Sequence, residues 1–206
     1  MAEPFASDKG RLYLATLNRG KLAELVAMLS AGGKTAFDAR LASELDPAID
    51  WDESGDTFAA NALIKAQAVK RRLKAPAAVL ADDSGLVVEA LGGAPGVISA
   101  RYGGPEATAA DNVAKLLKEM HGVPAGKRQA KFVCTLCFID AQGNTSFHVG
   151  ECHGQIATAP RGAAGFGYDP VFIVDGGRLT MAELPEEKKN AVSHRRRAFD
   201  LWQASL

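Results

Sequence analysis

An apolar run, Ala77-Ala78-Val79-Leu80, leads straight into Ala81-Asp82-Asp83-Ser84-Gly85, and few architectures accommodate that juxtaposition. The run reads as a buried strand, and Gly85 is expected to end it and let the backbone turn. Adjacent carboxylates at the end of a buried strand are costly unless a cation offsets them. Side chains alternate along a strand, so Asp82 and Asp83 are expected on opposite sides, one facing a cleft and the other anchoring the turn. A cleft-facing carboxylate suits a hard divalent cation such as Mg2+, which takes a few carboxylates, waters and substrate phosphates. The plainer alternative is an Asx-type turn with solvated carboxylates.

The rest of the chain alternates strand and helix signals. Residues 11–16 read as a first strand, Asn18-Arg19-Gly20-Lys21 as the turn after it, and Leu22, Leu25, Val26 and Leu29 recur at helical spacing before Gly32-Gly33. Residues 45–56 are acidic and read as loop. Asp56 or Thr57 is placed to cap a helix to about Lys74, with Phe58, Ala62, Ile64, Ala68, Val69 and Leu73 inward. After the Asp82-Asp83 strand come a tight loop at Gly92-Gly93-Ala94-Pro95-Gly96 and a helix opened by Thr108 or Asp111. Strands at 131–140 and 145–157 flank a hairpin turn at Gln142-Gly143-Asn144, and a short strand spans 171–174. Ser193 is expected to cap a last helix that packs through Ala198, Leu201 and Trp202. This interleaving predicts an α/β fold, and the antiparallel hairpin makes its sheet mixed. At 206 residues the chain fits a single domain with two lobes.

Composition narrows the function classes. Lys plus Arg equal Asp plus Glu at 24 each, which gives no global drive toward nucleic acid or a membrane surface. Residues 1–10 lack an apolar core, so no signal peptide is expected, and no apolar run approaches membrane-spanning length. Three cysteines, an odd number, suggest a reducing, cytoplasmic setting.

Several short constellations carry chemistry. Thr16-Leu17-Asn18-Arg19-Gly20-Lys21 joins a strand to a helix N-terminus, where free N–H groups, the helix dipole and Lys21 favour an anion. It is not a Walker A loop, because Leu22 stands where Ser or Thr is required. An ordinary turn with a solvated lysine is the alternative. Gly165-Phe166-Gly167-Tyr168-Asp169 sets two aromatic rings among glycines, which suits a wall stacking on a planar base or, more plainly, a loop pinned by its rings. Lys188-Lys189-Asn190 and Ser193-His194-Arg195 place cations before and inside the start of a helix, where they oppose its dipole and point to an anionic or carbonyl-rich ligand. The run Arg195-Arg196-Arg197 also fits a solvated face. Cys134-Thr135-Leu136-Cys137 has the CxxC form, with Cys152-His153 on the next strand, but strand residues three apart face opposite sides, which favours buried cysteines over zinc. Trp51 reads as a packing residue.

Taken together, these segments resemble the inosine triphosphate pyrophosphatase family (Ham1-like). The resemblance runs in order through Ala15–Lys21 (residues 15–21), Glu53-Ser54-Gly55-Asp56-Thr57-Phe58, Ala81-Asp82-Asp83-Ser84-Gly85-Leu86, Leu91-Gly92-Gly93-Ala94-Pro95-Gly96, Ser99-Ala100-Arg101-Tyr102, Gly165-Phe166-Gly167-Tyr168-Asp169-Pro170 and Lys189-Asn190-Ala191-Val192-Ser193-His194-Arg195. It implies an elongated mixed sheet with flanking helices, two lobes around a central cleft, and a homodimer. It implies Mg2+-dependent hydrolysis of ITP, dITP and XTP to the monophosphate and pyrophosphate, with a purine nucleoside triphosphate as partner and neither nucleic acid nor membrane. By position, Thr16, Leu17, Asn18, Arg19, Gly20 and Lys21, with Lys65, resemble the triphosphate contacts. Glu53 and Asp83 resemble the metal carboxylates, Asp83 also the base that activates water, and Ser84 a substrate contact. Phe166, Gly167, Tyr168, Asp169, Lys189, His194 and Arg195 resemble the nucleoside pocket. Ala60 and Ile98 depart from residues common in bacterial members. Two other readings remain open: a nucleotide sensor without catalysis, and a pyrophosphatase for modified pyrimidine nucleotides.

Overall fold

The structure, a computed structural model, describes residues 10–31 and 37–206. The expected helix stop at Gly32-Gly33 and residues 1–9 lie outside them. The elements in order are β1 (Gly10–Ala15), α1 (Arg19–Ala31), β2 (Phe37–Leu41), α2 (Ala42–Leu45), α3 (Phe58–Lys70), β3 (Ala78–Val88), α4 (Ala109–Glu119), β4 (Gln129–Ile139), β5 (Thr145–Ile156), β6 (Phe172–Val174), α5 (Glu186–Val192) and α6 (His194–Ala204). The strands form one open sheet in the order β2-β1-β3-β4-β5-β6. β1 runs parallel to β2 and to β3, whereas β5 and β6 are antiparallel, so the sheet is mixed as expected.

The chain divides into two compact units. The first runs to Asp82 and takes in Leu136–His148; the second is Asp83–Thr135 with Val149–Leu206, so the boundary falls inside β3. The first unit has its own core, in which Ala62, Ala66 and Val69 of α3 meet Val79 and Ala81 of β3, with Trp51 packed against the group. Small residues on α3 let that helix lie close to the sheet. The second unit buries Leu86, Val113, Leu116, Phe132, Cys152, Tyr168, Phe172 and Met181 together. No helix among the described residues is long and apolar enough to cross a membrane.

The caps form where the sequence placed them. Thr57 accepts the N–H of Ala60 and starts α3, Thr108 and Asp111 make a reciprocal capping box on α4, and Ser193 accepts the N–H of Arg196 to start α6. Gly143 takes a positive φ in the β4–β5 turn, and Asp140 and Asn144 close it.

Four expectations are corrected. Gly85 does not end the strand: β3 runs for 11 residues from Ala78 through to Val88. Its backbone finds partners beyond the glycine, because the N–H of Leu86 donates to Ser99 Oγ at 2.9 Å and that of Val88 to the Ala94 carbonyl at 3.2 Å. α3 ends at Lys70 rather than near Lys74; the Lys70 ammonium donates to the carbonyls of Ala77 and Asp140, each at 2.7 Å. Lys188 and Lys189 do come before the start of α6, but inside a separate short helix, α5, with Lys189 in its last turn, where the dipole favours a cation. On α6, Ala198, Phe199 and Trp202 are buried while Leu201 is 53% exposed, because its position lies off the buried stripe.

Candidate functional site

Within the first unit the two expected phosphate lysines, Lys21 and Lys65, meet at one residue, Asp82. α1 begins after the turn Thr16-Leu17-Asn18, and the Asn18 side chain accepts the N–H groups of Gly20 at 2.9 Å and Lys21 at 3.1 Å. Two of the helix's N-terminal donors are therefore capped from within, contrary to the expectation of free N–H groups, and the positive charge at this turn comes from the Lys21 and Arg19 side chains. Leu17, Asn18 and Arg19 are exposed beside it. The Lys21 ammonium lies 3.2 Å from Asp82 Oδ2, whose side chain is wholly buried. Lys65, on the buried face of α3, donates to the Asp82 backbone carbonyl at 3.0 Å and pairs with Glu53 Oε1 at 2.7 Å. Glu53 lies in the loop before α3, and that loop is tied down by Gly55, whose N–H donates to Asn61 Oδ1 at 2.8 Å. Lys21, Lys65, Glu53 and Asp82 thus form two ion pairs around a single strand residue, with opposite charges in equal number.

The second unit begins with Asp83, which is buried, and Ser84. Ser84 Oγ accepts from Arg195 Nη2 at 2.9 Å, and Arg195 is only 1% exposed. Arg195 is therefore not part of a solvated basic face, although Arg197 on the same helix is exposed. α6 can approach β5 closely because of Gly150, where an added Cβ would lie 2.2 Å from the His194 carbonyl. His194 stacks on Phe132, with ring centroids 4.9 Å apart.

The loop Gly165-Phe166-Gly167-Tyr168-Asp169 is held by a buried acid. Asp169 Oδ2 accepts the N–H of Phe166 at 2.9 Å and pairs with the Lys189 ammonium at 2.8 Å. The same ammonium lies over the Phe166 ring, 4.7 Å from its centroid. Tyr168 OH donates to the Ser99 carbonyl at 2.8 Å, and burial pushes its phenol up. Phe166, Gly165 and Gly167, with Pro170 and Ala110 and Val113 of α4, line a groove of about 430 Å3. Its lining side chains are all uncharged and apolar, so its chemistry suits a flat ring rather than a triphosphate.

Among the described residues no group of three or more His, Cys, Asp or Glu side chains is gathered for a metal. Cys134, Cys137 and Cys152 are buried free thiols, which matches the reading of them as buried cysteines. Glu53, which the resemblance names as a metal carboxylate, pairs with Lys65 in the first unit, and Asp83, named as the other, is buried in the second.

The sequence profile of the Ham1 family matches residues 12–204. The chain belongs to the Ham1 family. It is 48% identical over 188 residues to a dITP/XTP pyrophosphatase of Geobacillus kaustophilus, covering 91% of this chain and 90% of that one. Among solved structures it resembles a HAM1 protein from Coxiella burnetii, with TM-score 0.84, 36% identity, and coverage of 95% of this chain and 97% of that one. The Ham1 protein of Staphylococcus aureus is similar at TM-score 0.82 and 38% identity, over 94% and 96% of the two chains. The family resemblance read from the motifs and the mixed α/β sheet are both borne out.

Sequence reasoning named three residues without their supporting roles. Asn18 is a standard capping residue just before a helix, so its role was legible. Ser99, which accepts Leu86 N–H and whose carbonyl accepts Tyr168 OH, carries no local signal. Asp82 was seen but given no role, because its partners come from α1 and α3, far away in sequence.

Proposed function

We propose that this chain is a nucleoside-triphosphate pyrophosphatase that hydrolyses the noncanonical purine nucleotides ITP, dITP and XTP to the monophosphate and pyrophosphate. Membership of the Ham1 family, with 48% identity to a dITP/XTP pyrophosphatase across nine-tenths of both chains, carries this reading. Lys21 and Lys65 take the triphosphate, with the turn at Thr16, Leu17, Asn18, Arg19 and Gly20 beside it. Asp83 accepts a proton from the water that attacks the α-phosphorus, the bond to the bridging oxygen breaks, and pyrophosphate leaves. Glu53 and Asp83 are the carboxylates that would hold Mg2+, which would supply positive charge beside the phosphates. The charge balance supports a metal: two ammonium groups already face two carboxylates, so a polyanion needs a further cation to be bound favourably.

Phe166 stacks on the base, with Gly167, Tyr168 and Asp169 shaping its wall, and Ser84 and Lys189 complete the nucleoside contacts. His194 and Arg195 are the donors for the carbonyl at C6, which hypoxanthine and xanthine carry and adenine does not. A donor left facing an amine rejects the wrong base strongly. We further propose that residues 1–206 act as one catalytic domain, as a cytoplasmic homodimer, on the strength of the family resemblance.

The deciding experiment measures pyrophosphate release with Mg2+ across ITP, dITP, XTP, ATP, GTP and modified pyrimidine triphosphates. Release from the first three in large excess is expected. Binding without release would make the chain a sensor, and preference for the pyrimidines would change the substrate class. Arg195→Ala should lower kcat/KM for ITP and XTP more than for ATP; equal losses would move selectivity elsewhere.

A further inference from the structure

Asp82 is the residue on which both candidate phosphate lysines converge. Its side chain meets the Lys21 ammonium at 3.2 Å, and its backbone carbonyl meets the Lys65 ammonium at 3.0 Å. The carboxylate is wholly buried, whereas Lys21 retains 14% exposure at its side chain. A buried ion pair is weak grounds for stability, since an apolar pair of similar volume often serves as well. Placing a charge there therefore calls for another reason. A lysine is a flexible point charge with about 2 kcal/mol of rotamer freedom to lose when it grips a ligand. A carboxylate fixed on a central strand removes part of that freedom before the ligand arrives.

We propose that Asp82 is a positioning residue for triphosphate binding: it orients Lys21 through its carboxylate and Lys65 through its carbonyl, without touching substrate. This rests on the reading of Lys21 and Lys65 as phosphate ligands. The carbonyl contact survives any substitution at position 82, so side-chain variants probe the carboxylate, whose pairing with Lys21 is the arm proposed here. That arm gives the proposal a sharp signature. The effect of removing the carboxylate must pass through Lys21 and must be blind to the base.

The test is a double-mutant cycle with Lys21→Met, Asp82→Asn and the pair. It is read as kcat/KM for ITP, XTP and ATP and as the inhibition constant of inorganic tripolyphosphate, with circular dichroism to follow the fold. Asp82→Asn is expected to lower kcat/KM by about 10- to 100-fold, the scale of a misplaced binding group. The factor should be equal for the three nucleotides, tripolyphosphate inhibition should weaken in parallel, and the loss should disappear in the Lys21→Met background. Asp82→Ser, smaller and neutral, replaces Asp82→Asn in the cycle if the latter does not fold. A Lys21→Met variant with unchanged kinetics would remove the phosphate reading and this role with it. A crippled Lys21→Met variant alongside an unaffected Asp82→Asn, or an Asp82→Asn loss of the same size in both backgrounds, would overturn the positioning role alone.

Discussion

Gly165→Ala and Gly167→Ala, two residues apart in one loop, are expected to differ sharply. Both glycines have positive φ, +77° at Gly165 and +61° at Gly167, so an alanine at either is strained by about 1–2 kcal/mol. Around Gly167 an added Cβ meets nothing within 4 Å. At Gly165 it would lie 2.1 Å from Asp169 Oδ2, 2.9 Å from Cγ and 3.1 Å from Cβ. The end of a free side chain would swing away cheaply, but this one is held by the Phe166 N–H at 2.9 Å and the Lys189 ammonium at 2.8 Å. Displacing it breaks a buried ion pair, worth about 3–5 kcal/mol when one partner is lost. Gly165→Ala should therefore cost about 4–7 kcal/mol in all, against about 1–2 for Gly167→Ala, out of a total stability of about 5–15 for a natural protein. Urea unfolding followed by circular dichroism measures the difference, and kcat/KM with ITP measures its consequence at the candidate base pocket. If Gly165→Ala is no less stable than Gly167→Ala, Asp169 is not the fixed anchor described here, and the loop is held some other way.

Asp83→Asn should keep its circular dichroism spectrum while losing at least about 10²–10⁴-fold in turnover; a variant with most of its activity would make Asp83 structural. Lys65→Ala should lower kcat/KM for ITP by about 10- to 100-fold, with a smaller loss for the diphosphate, and unchanged kinetics would leave Lys65 as a strut between Glu53 and β3. Burial pushes the Cys137 thiol up to about 12 and the Cys152 thiol up to about 11 from 9.0, so the folded state holds both protonated. Their contribution to stability is complete below pH 9 and is lost as pH rises from there through 11 to 12. Iodoacetamide at pH 8 should accordingly label neither until urea is added, and labelling of the native chain would contradict their burial. A chelator of divalent ions should abolish turnover and leave the unfolding midpoint nearly unchanged; unfolding on chelation would revive a structural metal.

The local signals and the long-range pairings differed in how well the sequence disclosed them. Caps at Thr57, Thr108 and Ser193 were legible because a hydroxyl at a helix start satisfies donors only three residues away. The β4–β5 hairpin was legible for the same reason, its turn residues bonding within the turn. Helix α5 was missed, although Pro185-Glu186-Glu187 followed by Lys188-Lys189 is a helix-start pattern with charges arranged for the dipole. Gly85 misled because glycine is common at strand ends, whereas here the strand continues on partners supplied by Ser99 and Ala94.

Residue order by itself determined the family, the α/β class and the set of residues that carry charge and rings, since ordered motifs, hydrophobic period and turn chemistry are all local properties of a chain. Tertiary structure alone decided who meets whom: Lys21 with Asp82, Lys65 with Glu53, Lys189 with Asp169, and Arg195 with Ser84. Each of these pairs joins segments 12 to 111 residues apart. No periodicity encodes such a partner. A buried charge is tolerated only where packing delivers its counterpart, and that delivery is a consequence of how the strands and helices close over their cores.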